Sequence, residues 1–174
     1  MAFQATVFDV LIASPKDVPK ARGLAEHECH DWTGSRAREE GVVLRPRRHE
    51  TDSVPLINGS DPQSIINVQL VREADIVIAI FHSRVGTRTP RAISGTVEEL
   101  TAAAAAGKPV HVYFSRQGHP NNVDPLQIAA VRELQRQLSH VGLTAEYTSF
   151  TDLHTQVRRA LDYDVNRLRS EAEH

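Results

Sequence analysis

The chain has 174 residues, a formal net charge of -2, 40 % hydrophobic and 24 % charged residues. That suits one domain around one core and excludes a strong electrostatic field for nucleic acid. No apolar run approaches the roughly 18 residues of a membrane span, and the single Cys29 excludes an internal disulfide framework.

Apolar runs with strand character alternate with helical patterns along the chain. Residues 7–14, VFDVLIAS, form the first strand and end in Ser-Pro. Asp17 is placed to cap a helix with Pro19 in its first turn. Val18, Ala21, Ala25, Cys29 and Trp32 recur at helical spacing, and the helix extends to Glu40 with Gly34 as its weak point. Gly41 ends it before a short strand, VVLRP. The polar stretch RRHETDSVPLINGSD reads as a loop. Asp61 caps, and Pro62 opens, a helix over DPQSIINVQLVREA. DIVIAIFH is a continuous apolar run, the mark of a central parallel strand buried on both faces.

A long loop, SRVGTRTPRAISG, leads to a third helix over TVEELTAAAAAG, ended by Gly107. PVHVYFS is the fourth strand. An amphipathic helix follows over 125–140, then a short edge strand in TAEYTSF, then a last helix from Asp152 to about Glu171. The domain is read as residues 1–165, with 166–174 as a frayed charged tail. This alternation implies an α/β three-layer sandwich of flavodoxin-like type: a five-stranded parallel sheet, order 2-1-3-4-5, with helices on both faces. Ligands of such sheets bind beyond the carboxyl ends of the strands. That rule selects the loops 14–17, 82–95 and 115–124, with His49 and Glu50 after the second strand as a further wall.

Thr96-Val97-Glu98-Glu99 admits two readings. It is T-x-x-E, a capping box in which Glu99 reaches back to the helix start. Alternatively Glu99 sits one turn into a helix that begins at the crevice and points at a ligand. Arg84 could fork onto a pyrophosphate, with Arg88 and Arg91 weaker candidates. The backbone amides of Ser94, Gly95 and Thr96 offer a generic anion site. Gln63 and Asn67 lie one turn apart and could face the same pocket. Asp75 lies at the wrong end of its strand and reads as a structural turn. His27, Cys29 and His30 do not share a helix face, and no C-x-x-C or H-E-x-x-H appears, so no metal is expected. A serine-nucleophile elbow and a Walker loop are absent as well. The first strand lacks paired acids at its carboxyl end, which argues against a CheY-like receiver.

LIASPKDVPKAR, DPQSIINVQLVREADIVIAIFHSRVGT, SGTVEEL and AGKPVHVYFS together resemble an uncharacterised family of TIR-like domains, over about residues 5–150. More distantly, DIVIAIF, SGTVEEL and AGKPV resemble the nucleoside 2-deoxyribosyltransferases. In that pattern the acid three residues after Thr96 is catalytic, which lands on Glu99; TIR NAD-cleaving enzymes likewise place a catalytic Glu on this helix. The resemblance implies that Ser14 and Pro15 help hold a phosphate or ribose. It puts His82 where relatives have a pocket residue, and His49 where they carry Trp before Glu50-Thr51-Asp52.

The implied activity is cleavage of the N-glycosidic, nicotinamide–ribose bond of NAD, with NAD as substrate and no cofactor. A carboxylate suits it, because departure of the base leaves an oxocarbenium-like sugar. The implied setting is bacterial immune signalling in the cytoplasm, through self-association or a larger defence NTPase protein, without nucleic acid or membrane. Two alternatives stand beside it: a nucleoside or nucleotide N-glycosidase or deoxyribosyltransferase, and a non-catalytic nucleotide-sensing or self-assembly module.

Overall fold

The computed structural model describes residues 1–54 and 60–172, and their side chains except those of residues 50, 65, 68 and 172. The strands are β1 (Thr6–Ala13), β2 (Val42–Arg47), β3 (Ile76–Phe81), β4 (Val110–Ser115) and β5 (Ala145–Tyr147). All pair in parallel, in the order β2-β1-β3-β4-β5. This is the flavodoxin-like order expected from the alternation of elements. The helices are α1 (Pro19–Glu40), α2 (His49–Asp52), α3 (Pro62–Ile66), α4 (Gly95–Ala105), α5 (Pro125–Val141) and α6 (Phe150–Ala172). Of the stretch expected as a frayed tail, residues 166–172 continue α6, and Arg169 there pairs with Glu40 of α1.

All six residues of β3 are buried, because side chains alternate across a strand that is covered on both faces. Ile76, Ile78 and Ile80 meet Ala25, Cys29 and Trp32 of α1 and Leu153, Val157 and Leu161 of α6. Val77 packs with Leu70 and Ala103. Ala79 and Phe81 pack with Leu100 of α4 and Val131 and Leu134 of α5. Each such aliphatic side chain contributes about 1.5–3 kcal/mol by leaving water. Helices on opposite faces of adjacent β1 and β3 open a crevice at their carboxyl ends.

Three local expectations change. Asp17 does not cap α1: the cap position is Val18, with no side-chain bond. The Asp17 carboxylate instead accepts from the Ser83 amide, 2.9 Å away at the end of β3. That donor, presented by a neighbouring strand, outcompetes the local helix amides. Next, the helix expected over 61–74 starts as read, with Asp61 accepting from the Ser64 amide and Pro62 in the first turn. It then widens into a π-helical turn over Asn67–Val71, marked by the Arg72 N–H bonding the Asn67 carbonyl. Finally, the loop after β2 contains the short helix α2.

A fourth change decides the T-x-x-E question. The N-cap of α4 is Ser94, extended at φ -162°, whose hydroxyl accepts from the Val97 amide at 3.2 Å. Thr96 is therefore already helical, and Glu99 lies past the first turn. The capping-box reading is wrong for this helix. Gly95 permits the earlier start, since a Cβ there would lie 2.4 Å from Oε1 of Gln63.

Candidate functional site

A cavity of about 690 Å³ opens at the carboxyl edge between the ends of β1 and β3. Ser14, Pro15 and Lys16 form its wall on the β1 side, and His49 closes the β2 side. The start of α3 contributes Gln63, and the start of α4 contributes Gly95, Thr96 and Glu99. Residues 84 and 86–90 of the loop after β3, with Gln127 of α5, complete it. Gly86 adopts φ +105°, and a Cβ there would press on Ser94, so glycine suits this bend of the wall.

The two adjacent acids of α4 have separate work. Glu98 is saturated: it accepts from Arg91 Nε at 2.6 Å, Asn67 Nδ2 at 2.8 Å and Thr89 Oγ1 at 2.6 Å. Burial by itself would raise its pKa, but the hydrogen bonds from Thr89, Arg91 and Asn67 outweigh it and hold the carboxyl below its ordinary range. Arg91 also forks onto Asp61 at 2.8 and 2.9 Å, which keeps that carboxyl well below the usual range. Asp61, Arg91 and Glu98 thus form a clasp that ties the loop after β3 to the starts of α3 and α4.

Glu99 is 3 % exposed and lies on the cavity wall. Its Oε1 accepts from Gln63 Nε2 at 3.2 Å, and the same nitrogen reaches Asn67 Oδ1 at 3.2 Å. One chain of amides therefore runs from Glu99 through Gln63 and Asn67 to Glu98. The expectation that Gln63 and Asn67 face the pocket holds for Gln63; Asn67 serves Glu98 behind it.

Of the other candidates, the structure brings Ser14, Pro15, His49, Arg84, Gly95 and Thr96 to the cavity. Ser14 is 2 % exposed, and its hydroxyl has no hydrogen-bond partner among the described residues. A buried unsatisfied hydroxyl on a cavity wall calls for a ligand or a water. Ser94 lies fully buried behind the wall as the helix cap. His82 does not reach the cavity: its ring stacks on His119 with centroids 5.1 Å apart, and its Nε2 lies 3.1 Å from the Gln117 carbonyl. The Glu50 side chain lies outside the described ones. Asp75 sits at the opposite edge, accepting from the Asp9 amide at 2.7 Å, as a structural turn should.

Sequence reasoning passed over Lys16 and Gln127. Lys16 follows the Ser-Pro turn directly, so its position in the loop already carried the signal. Gln127 Oε1 accepts from the Val85 amide at 3.1 Å, a tertiary bond with no local signature. Lys16, Arg84 and Arg88 are exposed, and among the described residues none of them is in an ion pair. The wall is thus cationic around one buried carboxylate.

Residues 51–162, well over half of the chain, match the domain of unknown function DUF4062. The chain belongs to that family. The match takes in Glu99, Gln63 and the Arg91 clasp, whereas Ser14, Pro15, Lys16 and His49 precede it. The DUF4062 match therefore covers one side of the cavity. No curated protein matches in sequence. In structure, the chain is similar to a flavodiiron protein from Giardia intestinalis, at 16 % identity and TM-score 0.46, over 98 % of this chain and 38 % of that one. It is also similar to a flavodoxin of Streptococcus pneumonia TIGR4, at 14 % identity and TM-score 0.44, over 91 % of this chain and 99 % of that one. A third is flavodoxin 1 from Bacillus cereus, at 14 % identity and TM-score 0.41, over 91 % and 97 %. The DUF4062 chain thus spans 38 % of the flavodiiron protein's length. Among the described residues, no helix is long and apolar enough to cross a membrane.

Proposed function

We propose that this DUF4062 chain is a TIR-like domain that binds a nicotinamide dinucleotide and cleaves its nicotinamide–ribose bond, with Glu99 as the essential carboxylate. The observation that carries this is the release of Glu99 from any capping role: it lines a cavity while its neighbour Glu98 does the structural work. The cavity volume lies in the range of roughly 300–1,000 Å³ usual for small-molecule sites. Lys16, Arg84 and Arg88 suit a pyrophosphate, and the unpartnered Ser14 hydroxyl suits a phosphate or ribose oxygen.

In this reaction water adds to the ribose carbon as the carbon–nitrogen bond breaks. The bonding pair leaves with nicotinamide, which departs neutral and needs no general acid, and the water gives up a proton. Glu99 would face the positive charge that develops on the sugar, in a site shielded from solvent where such charge is stabilised most. In this reading activity follows self-association, or attachment to a larger defence NTPase protein, and its consequence is loss of NAD.

The test is release of nicotinamide from NAD by concentrated protein, read by chromatography, for wild type and Glu99→Gln. The expected outcome is release by wild type and a loss of at least about 100-fold in the variant, with the variant still folded by circular dichroism. Equal release by both proteins overturns the role of Glu99. Base release from free nucleosides, with none from NAD, overturns the substrate class.

A further inference from the structure

On the far face of α1, away from the cavity, a second set of ionisable side chains converges. Glu28 and Asp31 stand three residues apart on α1, and so share a helix face. His154 reaches them from α6. One ligand atom of each lies within 4.8 Å of the others. We propose that Glu28, Asp31 and His154 bind a zinc-class divalent cation that clamps α1 to α6.

The arrangement around Glu28 argues for this beyond mere clustering. Its side chain is 0 % exposed, and one carboxylate oxygen, Oε1, accepts from Arg158 Nη1 at 2.8 Å. The other, Oε2, has no hydrogen-bond partner although His154 Nε2 lies only 2.6 Å away. The two groups stand at ion-pair distance, and Asp31 brings a second carboxylate oxygen to the same point on the α1–α6 seam. Metal bonds of about 2.0–2.1 Å in a tetrahedral site set ligand atoms about 3.3 Å apart. His154 is half-exposed, so a small rotation supplies the difference.

Arg158 fixes the Glu28 carboxylate from behind, and His27 Nε2 lies 3.2 Å from Asp31 Oδ2, so each carboxylate has an outer partner that orients it. One imidazole with two carboxylates suits zinc and its neighbours. Calcium takes six or more oxygens and magnesium keeps most of its waters, so neither fits. The half-exposed side at Asp31 and His154 leaves room for water as a fourth ligand. Cys29 takes no part: it is fully buried in the core, and burial, with Glu28 and Glu26 nearby, pushes its thiol up to about 12.

The experiment is calorimetric titration of metal-stripped protein with zinc, beside His154→Ala and Asp31→Ala. Both replaced side chains are about half exposed, so the variants should fold. Expected are one zinc per chain, affinity reduced at least tenfold in each variant, and a zinc-dependent rise in Tm that His154→Ala lacks. Cobalt(II) in place of zinc should give d–d absorption without a thiolate charge-transfer band. Undiminished binding by His154→Ala, no binding by wild type, a thiolate band, or displacement by equimolar magnesium would each overturn the proposal.

Discussion

Replacing Gly95 by Ala tests how the site holds its carboxylate. The added Cβ would lie 2.4 Å from Oε1 and 3.2 Å from Cδ of Gln63. Ordinary contact begins near 3.4 Å, so the Gln63 amide must retreat by about 1 Å, since main chain at a helix start yields less than a side-chain end. Its Nε2 then leaves Glu99, to which it donates at 3.2 Å. A hydrogen bond to a charged group contributes about 1.5–3 kcal/mol. Gly→Ala at a compatible position returns about 0.4–1 kcal/mol through the unfolded chain. The expected net loss is about 1–2 kcal/mol. The assay is urea denaturation of wild type, Gly95→Ala, Gln63→Ala and the double variant. If the contact with Gln63 is the cause, Gly95→Ala becomes neutral or stabilising once Gln63 is Ala. An equal loss in both backgrounds would refute the reasoning.

The remaining predictions concern the helix start and its clasp. Ser94→Ala should cost about 0.5–2 kcal/mol through the lost cap, while Thr96→Ala should cost less; the reverse order in denaturation midpoints would restore Thr96 as the cap. Glu98 has a folded pKa below its unfolded one, so its stabilisation is present above the unfolded value and disappears as pH falls through the folded value. Wild type should therefore lose more stability than Glu98→Gln as pH drops below the ordinary carboxylate range, and parallel curves of Tm against pH would contradict the clasp.

Much of the fold is legible in single residues. The unbroken apolar run of β3 announced a central strand, and Gly41, at φ +65° with its N–H on the Ala37 carbonyl, ended α1 as read. Asp61 and Pro62 opened α3 as read, because a cap and its helix are neighbours in sequence. The misplaced features share the opposite property. Asp17 bonds Ser83, 66 residues away. The α4 cap is the exception, since the Ser94 hydroxyl accepts from the Val97 amide only three residues on, a local bond at a serine the T-x-x-E pattern overshadowed. The cavity was legible in outline, since the strand ends define it. That His82 faces His119 rather than the cavity depends on a loop conformation that no local pattern encodes.

The widened turn after α3 has a geometric consequence. Five residues per hydrogen-bonded step in place of four act as a one-residue insertion, offsetting the two ends of the helix by about 100°. The downstream end is phased to the core, where Leu70 and Val71 are buried. The upstream end is phased to the polar rim, where Gln63 and Asn67 meet Glu99 and Glu98. Deleting Gln69 would restore a regular winding and swing Gln63 and Asp61 off their partners while leaving Leu70 and Val71 seated. That extra residue is a phase adjuster, through which a single rod addresses two surfaces that a uniform helix could not serve together.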